Sequence, residues 1–225
     1  MKIVYKIVVP LLVVAALLLL VFTPVLHVKV EGSLLNMVDM SIPEYNSVYG
    51  TIEEINQMDA SRKETLKNLW ESLFSGEETE ASKKLKEEFK APITWLIVTG
   101  VLLGLALLLL LAVLVIALAT KKYGLTFLLS ALSLLFAFGA DKAFSQCAKI
   151  LQRMNLSSLL GSLAGGLGDL VSGLGDALGG LLSGLVNNAF KIDTLAFAYG
   201  YHFVLLALLA LTVFTGGWFI KRRYA

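Results

Sequence analysis

The sequence is poor in the residues that carry chemistry. It has one cysteine and two histidines, and only 16% of its residues are charged. A lone thiol, Cys147, cannot close an internal disulfide, and it is expected to be a small packing residue beyond the third apolar run. His27 and His202 have no cysteine or carboxylate cluster beside them. They form a metal or pH-sensing pair only if the outer ends of the first and fourth apolar runs touch. No HExxH, no Ser/His/Asp set and no intramembrane pair of aspartates is present, so catalysis has no residues to stand on. Gly166-x-Gly168 lacks the third glycine of a dinucleotide loop, and GGxGxD calcium repeats are missing too. No ionisable residue lies in the middle of an apolar run, which argues against a proton- or sodium-coupled transporter. The expectation is a chain that is not an enzyme and has no cofactor and no metal.

Apolar residues are what the chain has in excess. They make up 57% of its 225 residues, and the mean hydropathy is +0.77. A hydrocarbon core of about 30 Å needs about 20 apolar residues per helix. Four runs meet or approach that length: 7–26, 92–119, 123–140 and 195–220. The expected fold class is an all-α integral membrane protein, one tetraspan domain over 1–225. Lys2 and Lys6, Lys121 and Lys122, and Lys221, Arg222 and Arg223 flank alternate ends of the spans without an acidic residue among them. By the positive-inside rule these places are cytoplasmic, with both termini, and loops 27–91 and 141–194 are extracytoplasmic. The first loop supports this with thirteen Asp and Glu against eight Lys and Arg. The basic residues are topology determinants, so the bilayer is the expected partner and nucleic acid is not. The first run is longer than a signal-peptide core and reads as an uncleaved anchor, in the plasma membrane.

In the first loop, Thr51-Ile52-Glu53-Glu54 has the form of a capping box, so a helix should begin there. Apolar residues then recur at three- and four-residue intervals through Trp70 and Phe74. Ser75-Gly76 interrupts them, and a second helical stretch from Glu77 runs up to Pro92, where the chain either breaks or enters the second span. The two stretches make an extracytoplasmic helical hairpin whose apolar stripe must rest on the bundle or on a partner.

Residues 156–188 repeat every eleven: LSSLLGSLAGG, LGDLVSGLGDA, LGGLLSGLVNN. Eleven residues fill three helical turns, so one face stays nearly straight. Leu163, Leu174 and Leu185 recur at the same place in each repeat, within a leucine arc of about 80°. Asp169 and Asp176 fall opposite, beside the small residues Gly168, Gly175 and Gly179. Nine glycines cost such a helix up to about 1 kcal/mol each, so it is expected only where lipid or protein covers the leucines. The expectation is an amphipathic Gly/Leu helix on the outer face. Its small-residue ridge also suits close helix contact, and facing copies would turn Asp169 and Asp176 into an opening.

Gly100-x-x-x-Gly104 in the second span is a helix-packing motif, with packing inside the bundle as the favoured use and dimerisation as the other. Trp95, Tyr123, Tyr199, Tyr201 and Trp218 sit where interfacial aromatic belts belong. Four spans with a larger first outer loop resemble the claudin-like tetraspans in topology. The first loop has no cysteine pair, and its tryptophan stands in Lys67-Asn68-Leu69-Trp70-Glu71, so no family is assigned. The functional expectation is a non-catalytic membrane protein acting by assembly, through self-association or with another membrane protein, as a complex subunit or membrane-organising scaffold. The alternative is an oligomeric channel or pore lined by the small-residue faces around Asp169 and Asp176.

Overall fold

Four long helices run through the protein, and their outer surfaces are as apolar as their interior. The structure is a computed structural model that describes residues 2–31, 44–57, 80–120, 122–154 and 191–223. The helices are α1 (Lys2–Phe22), α3 (Glu80–Ala119), α4 (Tyr123–Arg153) and α5 (Tyr199–Arg223), with a short α2 (Val48–Gln57) between the first two. All four long helices are apolar enough to cross a membrane. The chain is a mostly helical integral membrane protein.

Each span buries one helical stripe. On α1 the stripe is Tyr5, Val9, Val13 and Ala16, and on α3 it is Ala106, Leu110, Val113 and Ala117. These spacings of three and four residues keep side chains on one face. The outward residues are just as apolar: Val213 is 66% exposed and Leu135 63%. In water that surface would be an aggregation liability, and in lipid it is the solvated face. The stripe on α4 is built from small residues, Ser130, Ser133, Ala137 and Ala140, which lets α3 and α5 approach it closely.

A three-stranded antiparallel sheet, absent from the sequence reading, joins the helices at one end. Its strands are β1 (Pro24–Glu31), β2 (Tyr45–Ser47) and β3 (Lys191–Phe197), in the order β2-β1-β3. Leu26 faces Phe197 and Lys29 faces Thr194, but Val30 faces Ile192. Asp193 is therefore an extra residue, a bulge. Its carboxylate pairs with Lys29 at 3.5 Å, and its carbonyl accepts a hydrogen bond from Gln152 Nε2 on α4 at 3.2 Å. The sheet thus ties the end of the first span to the start of the last.

Several boundaries differ from hydropathy. Residues 24–26 lie in β1 rather than in the first span, and 195–197 lie in β3 rather than in the last. Helix α1 stops at Thr23, whose amide and hydroxyl both bond back to the Leu19 carbonyl. Helix α3 is continuous through Pro92, with no break before the span. Helix α4 continues past Asp141 and Lys142 to Arg153. At about 1.5 Å per residue α3 is about 60 Å long and α4 about 45 Å, so both extend well beyond a hydrocarbon core.

Helix α2 begins at Val48, before the expected start at Thr51. The cap is Ser47, whose Oγ accepts the Gly50 amide at 2.9 Å, and Thr51 Oγ1 instead donates to the Ser47 carbonyl. Ser47 wins because it closes β2 and already has the extended backbone a cap requires. Of the proposed hairpin, residues 58–79 with Trp70 and Phe74 lie outside the described residues, as does the whole eleven-residue repeat, while residues 80–91 of its second stretch are the first turns of α3 and run straight into the span.

Candidate functional site

The candidate site follows from how the four spans are arranged. Helix α4 packs on α3 along most of its length and on α5, while α1 packs mainly on α5. Helices α1 and α3 meet at the end away from the sheet, where Lys6 Nζ donates to the Leu118 carbonyl at 3.3 Å. Towards the sheet they part. The gap is a lateral slot with a volume of about 270 Å³. Ala16 and Leu20 on α1 form one wall, and Leu103, Gly104 and Leu107 on α3 form the other. Ala137 on α4 with Val204 and Leu208 on α5 make the back, and Val25, Val48 and Phe197 close the sheet end.

Two polar side chains, Ser133 and Tyr201, also reach this slot. Ser133 Oγ donates to the Ala106 carbonyl at 2.8 Å, and Tyr201 Oη donates to the Ala137 carbonyl at 2.7 Å. Both protons are committed to backbone oxygens on a neighbouring helix, and the space beyond them is hydrocarbon. Tyr201 is buried, held between the Phe197 ring at 4.0 Å and its carbonyl partner. It is a packing residue rather than the belt residue expected for it. Trp95 and Tyr199 do lie on the exposed surface, whereas Tyr123 and Trp218 join an aromatic cluster around buried Tyr5 at the opposite end. There Arg222 sits 5.7 Å over the Tyr123 ring.

The glycines divide into two kinds. A Cβ on Gly124 would meet the Phe219 ring at 2.9 Å, and one on Gly216 would meet Phe127 at 2.9 Å, so these two pack α4 against α5. Beside them Ser130 and Thr215 share a buried hydrogen bond of 3.0 Å. A Cβ on Gly100 or Gly104 would touch nothing within 4 Å among the described residues. The Gly100-x-x-x-Gly104 motif therefore does not pack inside the bundle as expected, and Gly104 instead opens a slot wall.

On the outside of the sheet end, aromatic rings form a ladder. Tyr45 stacks on His27 at 4.5 Å, Tyr199 lies 6.0 Å from Tyr45, and Phe203 lies 6.1 Å from Tyr199. Tyr45, Tyr199 and Phe203 are each about half exposed. Sequence reading placed Tyr199 at the interface and did not connect it with Tyr45, because strand pairing brings them together across more than 150 residues.

The two histidines do not share a site. His27 Nε2 bonds Glu44 Oε1 at 3.1 Å, and His202 Nδ1 bonds the Ala198 carbonyl of its own helix. No group of three or more His, Cys, Asp or Glu that could hold a metal occurs among the described residues. Cys147 is buried, and its thiol donates to the Pro92 carbonyl at 3.3 Å, which ties α4 to α3. Of the residues expected to mediate assembly, Gly100 and Gly104 are described. Leu163, Gly168, Asp169, Leu174, Gly175, Asp176, Gly179 and Leu185 lie outside the described residues. Comparison with protein-family models, with curated proteins and with solved structures finds no match for the chain.

Proposed function

We propose that the protein acts by assembly in the bilayer, as a non-catalytic subunit of a membrane complex or as a membrane-organising scaffold. The observation that carries this reading is the exposed ladder of Tyr45, Tyr199 and Phe203. Tyrosine and phenylalanine are favoured at protein interfaces because they bury much apolar area with few rotamers to lose. The ladder climbs from the lipid-facing flank of α5 onto the sheet, so its natural partner is itself a membrane protein, either a second copy or another chain. Basic residues at the opposite end, Lys6, Lys122 and Lys221 to Arg223, support a cytoplasmic position for that end under the positive-inside rule. The sheet then faces outward from the plasma membrane.

The test is the mass and composition of the particle purified in mild detergent. An oligomer or a hetero-complex is expected, and the double variant Tyr45→Ala with Tyr199→Ala should release it as a monomer. A wild-type particle that is monomeric and carries no second protein contradicts the proposal.

A further inference from the structure

We propose that the slot between α1 and α3 binds one acyl chain of a bilayer lipid, taken from the leaflet on the sheet side. The slot is walled by aliphatic side chains of α1 and α3, and its two polar residues have given their protons to backbone carbonyls. A ligand bringing a carbonyl or a negative charge would find no side-chain donor there, and one bringing a hydroxyl or amide would find only the lone pairs of those two hydroxyl oxygens, against the loss of its own hydration at a cost of several kcal/mol. A saturated chain carries no polar group and escapes that penalty.

Position points the same way. The slot opens sideways between two membrane spans, where lipid tails are the surrounding solvent. Left empty, its lining would forfeit dispersion contacts on one side, and water is a poor substitute where the polar partners are two hydroxyl oxygens that have already given their protons. The back of the slot stretches from Tyr201 to Leu208, about 10 Å along α5. A roof of Val25, Val48 and Phe197 closes it at the sheet end. A transmembrane helix from a second copy, about 10 Å across and spanning the whole bilayer, would run into that roof. A chain entering through the side can end beneath it. Gly104 lines the mouth, and a Cβ placed there would project into open space with no described atom of another element within 4 Å, so a larger side chain at this position would occupy the slot.

The experiment uses the full chain reconstituted in phosphatidylcholine vesicles doped with phosphatidylcholine that bears a mid-chain diazirine. After irradiation, adducts are mapped by peptide mass spectrometry. Adducts should concentrate on Leu103, Leu107 and Val204 compared with Val213 and Leu135, which face bulk lipid. Gly104→Leu should abolish the slot adducts and leave those at Val213, while Gly100→Leu, one turn away and outside the slot lining, should leave both. Circular dichroism and melting of each variant report whether it is folded, and if Gly104→Leu does not fold, the wild-type pattern decides alone. Equal labelling of slot and bulk-facing residues overturns the proposal. So does an unchanged pattern in folded Gly104→Leu, or slot residues found protected by a second copy or by residues 155–190 of the same chain.

Discussion

Among the described glycines, Gly200 has the least room for a side chain. It opens α5 where the helix start crosses the α1–β1 junction, and a Cβ there would collide with the Pro24 carbonyl oxygen. Backbone cannot rotate away as a side-chain tip can. Gly200→Ala should therefore destabilise by about 1–3 kcal/mol, the usual cost of overpacking, and lower the melting temperature in detergent. Gly100→Ala is the matched control: with open space around it, it should be neutral or stabilise by up to about 1 kcal/mol. Sequence reading marked Gly100 and passed over Gly200, because a spacing motif is visible in one dimension and a crossing of two distant segments is not. The same limit hid Ser133 and Tyr201. Sequence reading puts Tyr201 in an aromatic belt and passes over Ser133, because the acceptor carbonyls of Ala137 and Ala106 belong to other helices.

Among the elements, β1 is the central strand and α4 is the central helix. Val28 shows the first role: its amide bonds the Glu44 carbonyl at 2.9 Å beside β2, and its Cα partner on the other side is Leu195. Val28→Pro removes that donor from a central strand, where proline is not tolerated. The expected outcome is a sheet open to limited proteolysis with the four spans still inserted. Ser133→Ala probes α4, and loss of one interhelical hydrogen bond should cost about 0.6 kcal/mol, read as a small shift in melting. The four spans were legible in advance, since hydropathy is a property of each segment alone. The strands were not. Val25-Leu26 and Leu195-Ala196-Phe197 are as apolar as the helices they adjoin, and only mutual pairing distinguishes them.

For the whole molecule, two ends of opposite character are the main fact. Sheet and aromatic ladder occupy one end, and Lys6, Lys122 and Arg222 the other. A cysteine at Tyr45 should react with an impermeant maleimide from outside intact cells and one at Arg223 should not, and buried Cys147 gives little background. Reversed labelling would invert the topology drawn from charge. The slot was illegible in the sequence because it is a property of divergence: α1 and α3 touch at the basic end and separate towards the sheet, which no residue pattern on either helix records. The sheet has a further consequence, in time. Strand β1 ends at residue 31 and β3 starts at residue 191. At synthesis rates of about 5–20 residues per second, β1 leaves the ribosome about 8–32 seconds before the strand that completes it. Throughout that interval the nascent chain carries a β1 edge with no β3 to pair with, so a ribosome stalled before Lys191 should yield a chain prone to strand-mediated aggregation rather than a smaller version of the same protein.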